Sequence, residues 1–142
     1  MRGVFWQVGI VVDDIERSQE ELTRALGVTW ARTLDLRLED WEYRLSLSNE
    51  GPPYLELLEG PPGSPWDAAG GSRIDHVGYW TEDIAVERRR LEEAGVPVAY
   101  DGEAAGLRFN YHALPETGIR IEPIDVWHRD GLRRTFGLDD LG

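Results

Sequence analysis

Several kinds of chemistry are excluded by residues that this chain lacks. The 142-residue sequence contains no cysteine, and because its 15 basic residues are all arginine it contains no lysine either. Without cysteine the chain has no disulfide bonds, thiolate zinc sites or cysteine nucleophiles. Without lysine it cannot form a Schiff base with a carbonyl substrate. Any metal site in this protein must therefore be built from oxygen and nitrogen ligands.

Positive charge and long apolar runs are also scarce. The 27 acidic residues outnumber the basic ones and give a net charge of −12, whereas nucleic-acid binding needs a basic surface that neutralises phosphates. No apolar run approaches the roughly 18 residues of a transmembrane helix, and residues 1–13 lack the layout of a signal peptide. We therefore expect a soluble cytoplasmic protein with no nucleic-acid partner and no membrane partner.

The composition is that of one globular domain. Apolar residues make up 41% of the sequence, which includes six tryptophans and five tyrosines. A single domain of this length buries roughly 70% of the surface that its unfolded chain exposes, which is enough for a substantial core. We predict one domain over residues 1–142.

An internal repeat divides this domain into two modules. FWQVGIVVDDIE at residues 5–16 aligns with IDHVGYWTEDIA at an offset of 69 residues, and YLELLEG at residues 54–60 aligns with GIRIEPID at an offset of 66. Such self-similarity is typical of a duplicated structural unit. The modules are predicted at 4–60 and 73–125, with a linker rich in proline and glycine at 61–72 and a tail at 126–142.

Hydrophobic periodicity gives each module a strand, a helix and three further strands. The predicted strands are 4–12, 29–37, 41–48 and 54–58 in the first module, and 73–80, 96–100, 107–113 and 119–124 in the second. Capping residues predict one helix from Asp13 or Asp14 to Leu26, and another from Thr81 or Glu82 to Ala94. The tail is predicted to form a short helix or an arm.

Alternation of apolar and polar residues predicts how the strands face. In strand 41–48 the odd positions are apolar and the even positions are polar, and strand 107–113 shows the same pattern. We expect the apolar face to pack beneath a helix and the polar face to look away from it. The residues that would then be available to bind a substrate carboxylate or phosphate are Arg44, Arg108, Asn110 and His112, with cross-strand pairing as the alternative. Trp80 is a candidate for the pocket entrance.

Four polar residues occupy equivalent positions in the two modules, namely Gln7, Glu56, His76 and Glu122. Apolar neighbours flank both glutamates, so if those neighbours pack on the helices, the carboxylates project from the opposite face. A pseudo-twofold relation between the modules would place all four around one axis, and imidazole, carboxylate and amide oxygen are all competent metal ligands. We predict that they hold one divalent ion, chosen from zinc, nickel, cobalt, manganese and iron.

Together these motifs resemble the vicinal oxygen chelate superfamily, which contains glyoxalases, bleomycin resistance proteins and dioxygenases. The resemblance covers about residues 4–125 and rests on QVGIVVDDIE, HVGYWTEDIA, YLELLEG and RFNYHALPETGIRIE. It implies an α+β fold in which two tandem βαβββ modules form a curled, partly open mixed β-barrel around one site. The ligand combination is similar to that of eukaryotic glyoxalase I, and the flanking sequence is similar to that of methylmalonyl-CoA epimerase.

The resemblance also implies a function. It indicates a divalent-metal-dependent isomerase, epimerase or lyase that transfers a proton next to a chelated carbonyl of a small molecule, with Glu122 as the first candidate for the catalytic base and Glu56 as the second. It further implies a homodimer. Two other classes stay open. A metal-free drug-binding or resistance protein would use the tryptophans and the acidic surface to bind a cationic ligand. A ring-cleaving dioxygenase needs two histidines and a carboxylate on iron, and Gln7 stands where one histidine should be.

Overall fold

Eight strands form one mixed sheet in the structure, a computed structural model that describes residues 5–138. In chain order the elements are β1 (Phe5–Val11), α1 (Ile15–Leu26), β2 (Leu34–Leu38), β3 (Trp41–Leu47), β4 (Tyr54–Glu59), β5 (Arg73–Thr81), α2 (Ile84–Glu93), β6 (Val98–Tyr100), β7 (Tyr111–Ala113), β8 (Arg120–Asp125), a 3-10 turn (Val126–His128) and α3 (Arg129–Phe136). The order βαβββ occurs twice, which confirms the predicted α+β fold of tandem modules.

The two modules join through their first strands. β1 pairs antiparallel with β5, and each of these strands pairs in parallel with the last strand of its own module, β4 or β8. The other strands extend the sheet on both sides in the order β2-β3-β4-β1-β5-β8-β7-β6. The modules therefore pair within one chain, in an order that is symmetric about the β1–β5 junction. The homodimer stays a prediction, since the sheet is continuous without a second copy.

Aspartate side chains fix where the first two helices begin. Asp14 accepts a hydrogen bond from the backbone N–H of Arg17 at 2.9 Å, and Asp83 accepts one from the backbone N–H of Val86 at 2.9 Å. Such caps satisfy N–H groups that have no partner inside the helix. The start of α1 agrees with the sequence prediction. The predicted start of α2 is early, because its capping residue lies one or two positions beyond Glu82 and Thr81.

The predicted facing of the strand at residues 41–48 is wrong. Leu45 and Leu47 lie on the inner face of the curled sheet, against the core and the cavity described below. The polar residue between them, Ser46, faces α1 instead and accepts a hydrogen bond from Gln19 at 2.9 Å. A sheet that curls on itself buries its inner face, so apolar side chains are required there. The face under α1 tolerates polar residues that the helix can satisfy.

The fourth strand of the first module follows the predicted pattern. Leu57 packs on the helix side with Val12 and Ile15, so that Glu56, its neighbour in β4, projects toward the inner face. Its partner strand β1 lies at the centre of the sheet. This arrangement carries a carboxylate into the interior on a rigid frame.

Several strands are shorter than the sequence predicts, whereas the tail contains a short helix, which is one of its two predicted forms. The segment before Leu34 is mostly irregular, with Trp30 in a single bridge to Ser48, and Phe109 likewise makes only a single bridge, to Ile124. The tail forms the 3-10 turn and α3, while residues 139–142 and Val4 lie outside the described residues. Between residues 5 and 138, no helix is long and apolar enough to cross a membrane.

Candidate metal centre

The four predicted ligands meet on the inner face of the sheet, where the two modules join. They come from the four central strands: Gln7 from β1, Glu56 from β4, His76 from β5 and Glu122 from β8. Ligand atoms of the two glutamates and the histidine all lie within 4.8 Å of one another, and all four side chains are buried. Central strands are the most constrained part of a sheet, so the cluster sits on a rigid frame.

One imidazole nitrogen is the centre of this cluster. The Nε2 atom of His76 lies 3.1 Å from Oε2 of Glu56 and 3.3 Å from Oε2 of Glu122. It is 3.4 Å from Nε2 of Gln7, and that amide also donates a hydrogen bond to Glu122. Donor atoms from both modules therefore converge on a volume about the size of one ion.

Two glycines make room for this convergence. Gly9 is aligned with both Glu56 and His76 in the strand pairing, and a Cβ atom placed on Gly9 would lie 2.0 Å from Cε1 of His76. At the equivalent position of the second module, a Cβ on Gly78 would lie 2.6 Å from Cγ of Gln7. The first strand of each module, β1 or β5, thus carries one proposed ligand and one glycine, and the glycine leaves space for the ligand of the other strand.

A β-bulge brings Asp75 to the same imidazole. The pairing of β1 with β5 passes from Gly9–His76 to Ile10–Ile74 and leaves Asp75 without an opposite residue. Adjacent residues of a regular strand point to opposite faces, but a bulge re-aims one of them. The Oδ2 atom of Asp75 consequently lies 2.9 Å from Nδ1 of His76.

Arg120 and Arg73 hold the carboxylate of Asp75 in place. The Nε atom of Arg120 donates to it at 3.0 Å, and Nη2 of Arg73 lies 3.0 Å from its other oxygen. A carboxylate at Nδ1 favours the tautomer with hydrogen on that nitrogen, which leaves the lone pair of Nε2 for a metal. Asp75 therefore orients His76 toward the cluster.

Burial and crowding of like charges control protonation here. Burial raises the pKa of Glu56, and the charge of Glu122 raises it further. Burial alone would lower the pKa of His76, but the carboxylates of Glu122 and Asp75 outweigh it and hold that pKa well above its ordinary value. Two buried carboxylates next to one imidazole form a charge arrangement that a divalent cation balances.

The residues present fit a divalent metal ion. The Oε1 atom of Gln7 is buried and has no hydrogen-bond partner among residues 5–138, although buried acceptors nearly always find one. Rotation of this amide exchanges its oxygen and nitrogen positions and would present the oxygen to a cation. With one imidazole and two carboxylates, the donor set is suited to zinc, nickel, cobalt, manganese or iron.

A cavity of about 290 Å³ lies over the cluster. Its floor carries Gln7, Glu56 and Glu122, and most of its walls are apolar or aromatic. The remaining lining residues are Trp6, Leu34, Leu36, Tyr43, Leu45, Leu47, Leu58, Trp66, Leu107, Phe109, Tyr111, Ile124, His128, Leu132, Thr135 and Phe136. The last three belong to α3, so this helix closes part of the cavity.

Comparison with known proteins identifies the family. The model of the glyoxalase/bleomycin resistance protein/dioxygenase superfamily matches residues 6–111. The chain belongs to this superfamily. No curated protein matches the chain in sequence. This superfamily is also called the vicinal oxygen chelate superfamily. The membership therefore agrees with the resemblance that the repeat and its motifs indicate.

Several solved structures share the fold of this chain. A methylmalonyl-CoA epimerase variant from Streptomyces coelicolor, in complex with 2-nitronate-propionyl-CoA, is 22% identical with a TM-score of 0.63, covering 85% of this chain and 95% of its own. A hypothetical protein from Bacillus halodurans is 20% identical with a TM-score of 0.68, covering 88% and 95%. A mutant of 4-hydroxymandelate synthase from Streptomyces coelicolor is 13% identical with a TM-score of 0.64, covering 87% and 48%.

The predicted substrate-binding arginines do not line the cavity of this superfamily member. Arg44 lies on the helix side, where its Nη1 donates to Glu16 of α1 at 2.9 Å. Arg108 pairs with Asp125 at 3.1 Å, and 58% of its side chain is exposed. Both alternate along the chain with apolar residues that occupy the inner face, which is the physical reason that they lie outside the cavity lining.

The other three substrate-binding candidates also lie outside the cavity lining. Asn110 is buried and donates to Glu103 at 2.8 Å. The Nδ1 atom of His112 lies 3.1 Å from the carbonyl oxygen of Val96, so this residue takes part in local packing. Trp80 stacks on Trp6 with ring centroids 4.8 Å apart, in the core next to the cavity.

Sequence reasoning missed the residues that support the ligands. Asp75 precedes His76 directly, and regular alternation assigns such neighbours to opposite faces. Arg120 lies two residues before Glu122 in β8, and nothing in the sequence pattern distinguishes it from an ordinary polar strand residue. The one available signal was the Asp-His pair, and only a bulge, which the sequence does not mark with glycine, makes that pair meaningful.

Proposed function

We propose that this superfamily member is a divalent-metal-dependent isomerase, epimerase or lyase that moves a proton next to a chelated carbonyl of a small molecule. The supporting observation is that two carboxylates, an imidazole and an amide converge at the floor of a largely apolar cavity. A bound divalent ion would supply a Lewis acid that polarises a carbonyl and makes an adjacent C–H group more acidic.

Four side chains would hold the ion, and a fifth would orient them. Gln7, Glu56, His76 and Glu122 are the proposed ligands, in agreement with their convergence on Nε2 of His76. Asp75 would keep the imidazole in the required tautomer and orientation. Apolar walls around the floor limit access of water, which strengthens the electrostatic interactions made within the cavity.

The two glutamates are the proposed proton carriers. They come from equivalent strands of the two modules, and their Oε2 atoms lie 3.1 and 3.3 Å from Nε2 of His76. If the reacting carbon of a substrate lay between them, one carboxylate would remove a proton from one face and the other would return a proton to the opposite face, as an epimerisation requires. We assign the role of base first to Glu122 and second to Glu56.

The first test of this proposal is the metal content of untagged protein. One divalent ion per chain, measured by plasma mass spectrometry, is the expected result. Chelation should remove the ion and abolish exchange of the α-proton of aryl α-hydroxyketones with deuterium oxide, followed by nuclear magnetic resonance. Readdition of metal should restore that exchange.

The second test removes the proposed base. Glu122→Gln keeps the size of the side chain but removes its ability to accept a proton, so α-proton exchange should fall at least about 100-fold. Metal loading should weaken as well. Glu116→Gln, at an exposed turn residue, is the matched control and should leave both unchanged. Exchange at the wild-type rate in Glu122→Gln would overturn the proposal.

A metal-free binding protein is the second candidate function. Aromatic rings in the walls favour it, since Tyr43 and Trp66 stack with centroids 4.0 Å apart beside two carboxylates. Such an arrangement suits a cationic aromatic drug. Absence of a stoichiometric metal, combined with tight binding of such a cation to the untreated protein, would favour this function over the enzyme.

A further inference from the structure

We infer that the ligand of this cavity is a compact molecule whose body, beyond the oxygens that reach the metal, carries no negative charge and is aromatic or apolar. The inference rests on the proposed function for the chelating end of the molecule. The argument for the body depends only on the charges, walls and size of the cavity, and can therefore be tested with and without metal.

The charges of the cavity disfavour an anionic body. Glu56 and Glu122 lie at its floor, and within residues 5–138 no arginine contributes to its lining. The chain has no lysine to take that place. A carboxylate or phosphate placed above the metal ligands would lose its hydration shell without gaining a cationic partner, which is strongly unfavourable.

The arginines on neighbouring strands already have partners. Arg120 lies over the ring of Tyr111, with 4.2 Å from its guanidinium carbon to the ring centroid, and binds Asp75 and the carbonyl oxygen of Pro65. Arg108 binds Asp125. Turning either of them to a ligand would break an ion pair that holds a buried carboxylate, so neither is a free cation for a substrate.

The walls provide flat apolar surfaces. Tyr43 and Trp66 form a stacked pair, and Phe109 and Tyr111 form an edge-to-face pair with centroids 5.3 Å apart. The indole N–H of Trp66 donates to the hydroxyl of Tyr111 at 3.0 Å. Because these two polar groups bind each other, the walls offer the ligand mainly the faces and edges of aromatic rings. Such surfaces pack best against another ring or an aliphatic group.

The size of the cavity limits the enclosed body. A volume of about 290 Å³ equals that of roughly ten liquid water molecules. Leu132 and Phe136 of α3 narrow the side opposite the sheet. An enclosed body on the order of ten non-hydrogen atoms, such as one substituted ring, fits these limits.

The main experiment compares three hydroxamates that share one chelating group. Calorimetry on the cobalt-loaded full chain measures binding of acetohydroxamate, benzohydroxamate and 4-carboxybenzohydroxamate. Benzohydroxamate should bind at least about tenfold more tightly than acetohydroxamate, because its ring is buried. The added carboxylate should weaken binding at least about tenfold relative to benzohydroxamate. Equal or tighter binding of the carboxylate probe would overturn the inference.

A metal-independent comparison separates this inference from the proposed function. Methyl benzoate and benzoate are titrated into chelator-treated protein, with tryptophan fluorescence as the readout. Preference for the neutral ester supports the inference even if the protein loads no metal, in which case only the proposed function fails. Preference for benzoate overturns the inference even if metal binds as proposed.

A cation introduced at the cavity mouth tests the reason for the discrimination. Thr135 lines the cavity and is exposed, so Thr135→Arg should fold normally. This variant should bind 4-carboxybenzohydroxamate about tenfold more tightly than the wild type does. Thr135→Gln, which adds length without charge, should give no such gain. An equal gain in both variants, or a gain in neither, would contradict the assignment of weak carboxylate binding to a missing cation.

Discussion

At the scale of single residues, the imidazole of His76 owes its orientation to the residue beside it in the chain. The β-bulge at Asp75 makes that contact possible, and Arg120 and Arg73 keep the carboxylate from turning away. The carboxylate–imidazole–metal arrangement expected from these contacts usually contributes to metal affinity through ligand orientation and basicity. The effect of Asp75 on His76 depends on the negative charge of the carboxylate as well as on the hydrogen bond.

Asp75→Asn should therefore weaken metal binding by about 10- to 100-fold. The amide keeps a similar shape but neither carries the charge nor fixes the tautomer as firmly. Competitive titration with a fluorescent chelator measures the affinity, and circular dichroism checks that the fold is retained. Asp35→Asn is the matched control, since Asp35 also contacts an arginine, Arg44 at 3.5 Å, but is exposed and far from the ligand set. Unchanged affinity in Asp75→Asn would show that the contact has no role in metal binding.

At the scale of elements, the pairing of β1 with β5 decides whether the cluster can form. Gly9 and Gly78 leave space where side chains would meet the ligands of the opposite strand. In both positions the obstructing group is a ligand side chain whose place is set by two neighbouring strands. The glycines are thus required by close packing and not by an unusual backbone angle.

Gly9→Ala should displace His76, because the new Cβ would start 2.0 Å from Cε1 of the ring. We expect a loss of about 1–3 kcal/mol in the free energy of unfolding together with a large loss of metal affinity. Urea denaturation and chelator competition measure the two effects. Gly70→Ala is the control, since a Cβ there meets no atom within 4 Å. Wild-type metal affinity in Gly9→Ala would refute the close-approach argument.

The internal repeat is the reason that both the order of the elements and the ligand cluster could be predicted from the sequence. The repeat aligned Gln7 with His76 and Glu56 with Glu122, and equivalent positions in two similar modules must lie symmetrically once the modules pair. The facing of Leu45 and Leu47 could not be obtained in this way, because alternation divides a strand into two faces without saying toward which side the sheet curls.

Non-local geometry also hid the supporting residues. The bulge at Asp75 depends on the register between strands that lie far apart in the chain, and sequence alternation within β5 says nothing about it. The lining of the cavity by Leu132 and Phe136 depends in turn on how α3 folds back over the sheet. Each of these features depends on contacts between segments that are distant in the chain, and the pattern within one segment therefore does not predict it.

At the scale of the whole molecule, partly buried tyrosines make stability sensitive to alkaline pH. Burial raises the pKa of Tyr43 from 10.0 to about 12, with a further contribution from the charges of Glu56 and Glu122. Burial also raises the pKa of the more exposed Tyr100 to about 12, with help from Glu39. In each case the folded protein holds its proton at a pH where the unfolded chain has already released it.

The free energy of unfolding should therefore be constant below pH 10 with respect to these groups, and should fall between pH 10 and about 12. The sign follows because the unfolded state binds fewer protons in that interval. For Tyr43 alone the loss is up to about 2 kcal/mol. Urea denaturation at a series of pH values measures it, and Tyr43→Phe should flatten the curve more than Tyr100→Phe. A wild-type curve that stays level up to pH 11.5 would contradict the prediction.

The seating of each first-strand ligand over a glycine of the other first strand has a consequence for how such a site diversifies. Two identical modules that associated would have to carry the same residue at both first-strand positions, and the same bulged residue before it. When the modules are joined in one chain, the two positions can differ. The first carries the amide of Gln7, which follows Trp6 in the sequence, and the second carries the imidazole of His76, which follows Asp75. Covalent linkage of the halves is thus what permits four ligand positions of unequal chemistry around a nearly symmetric axis.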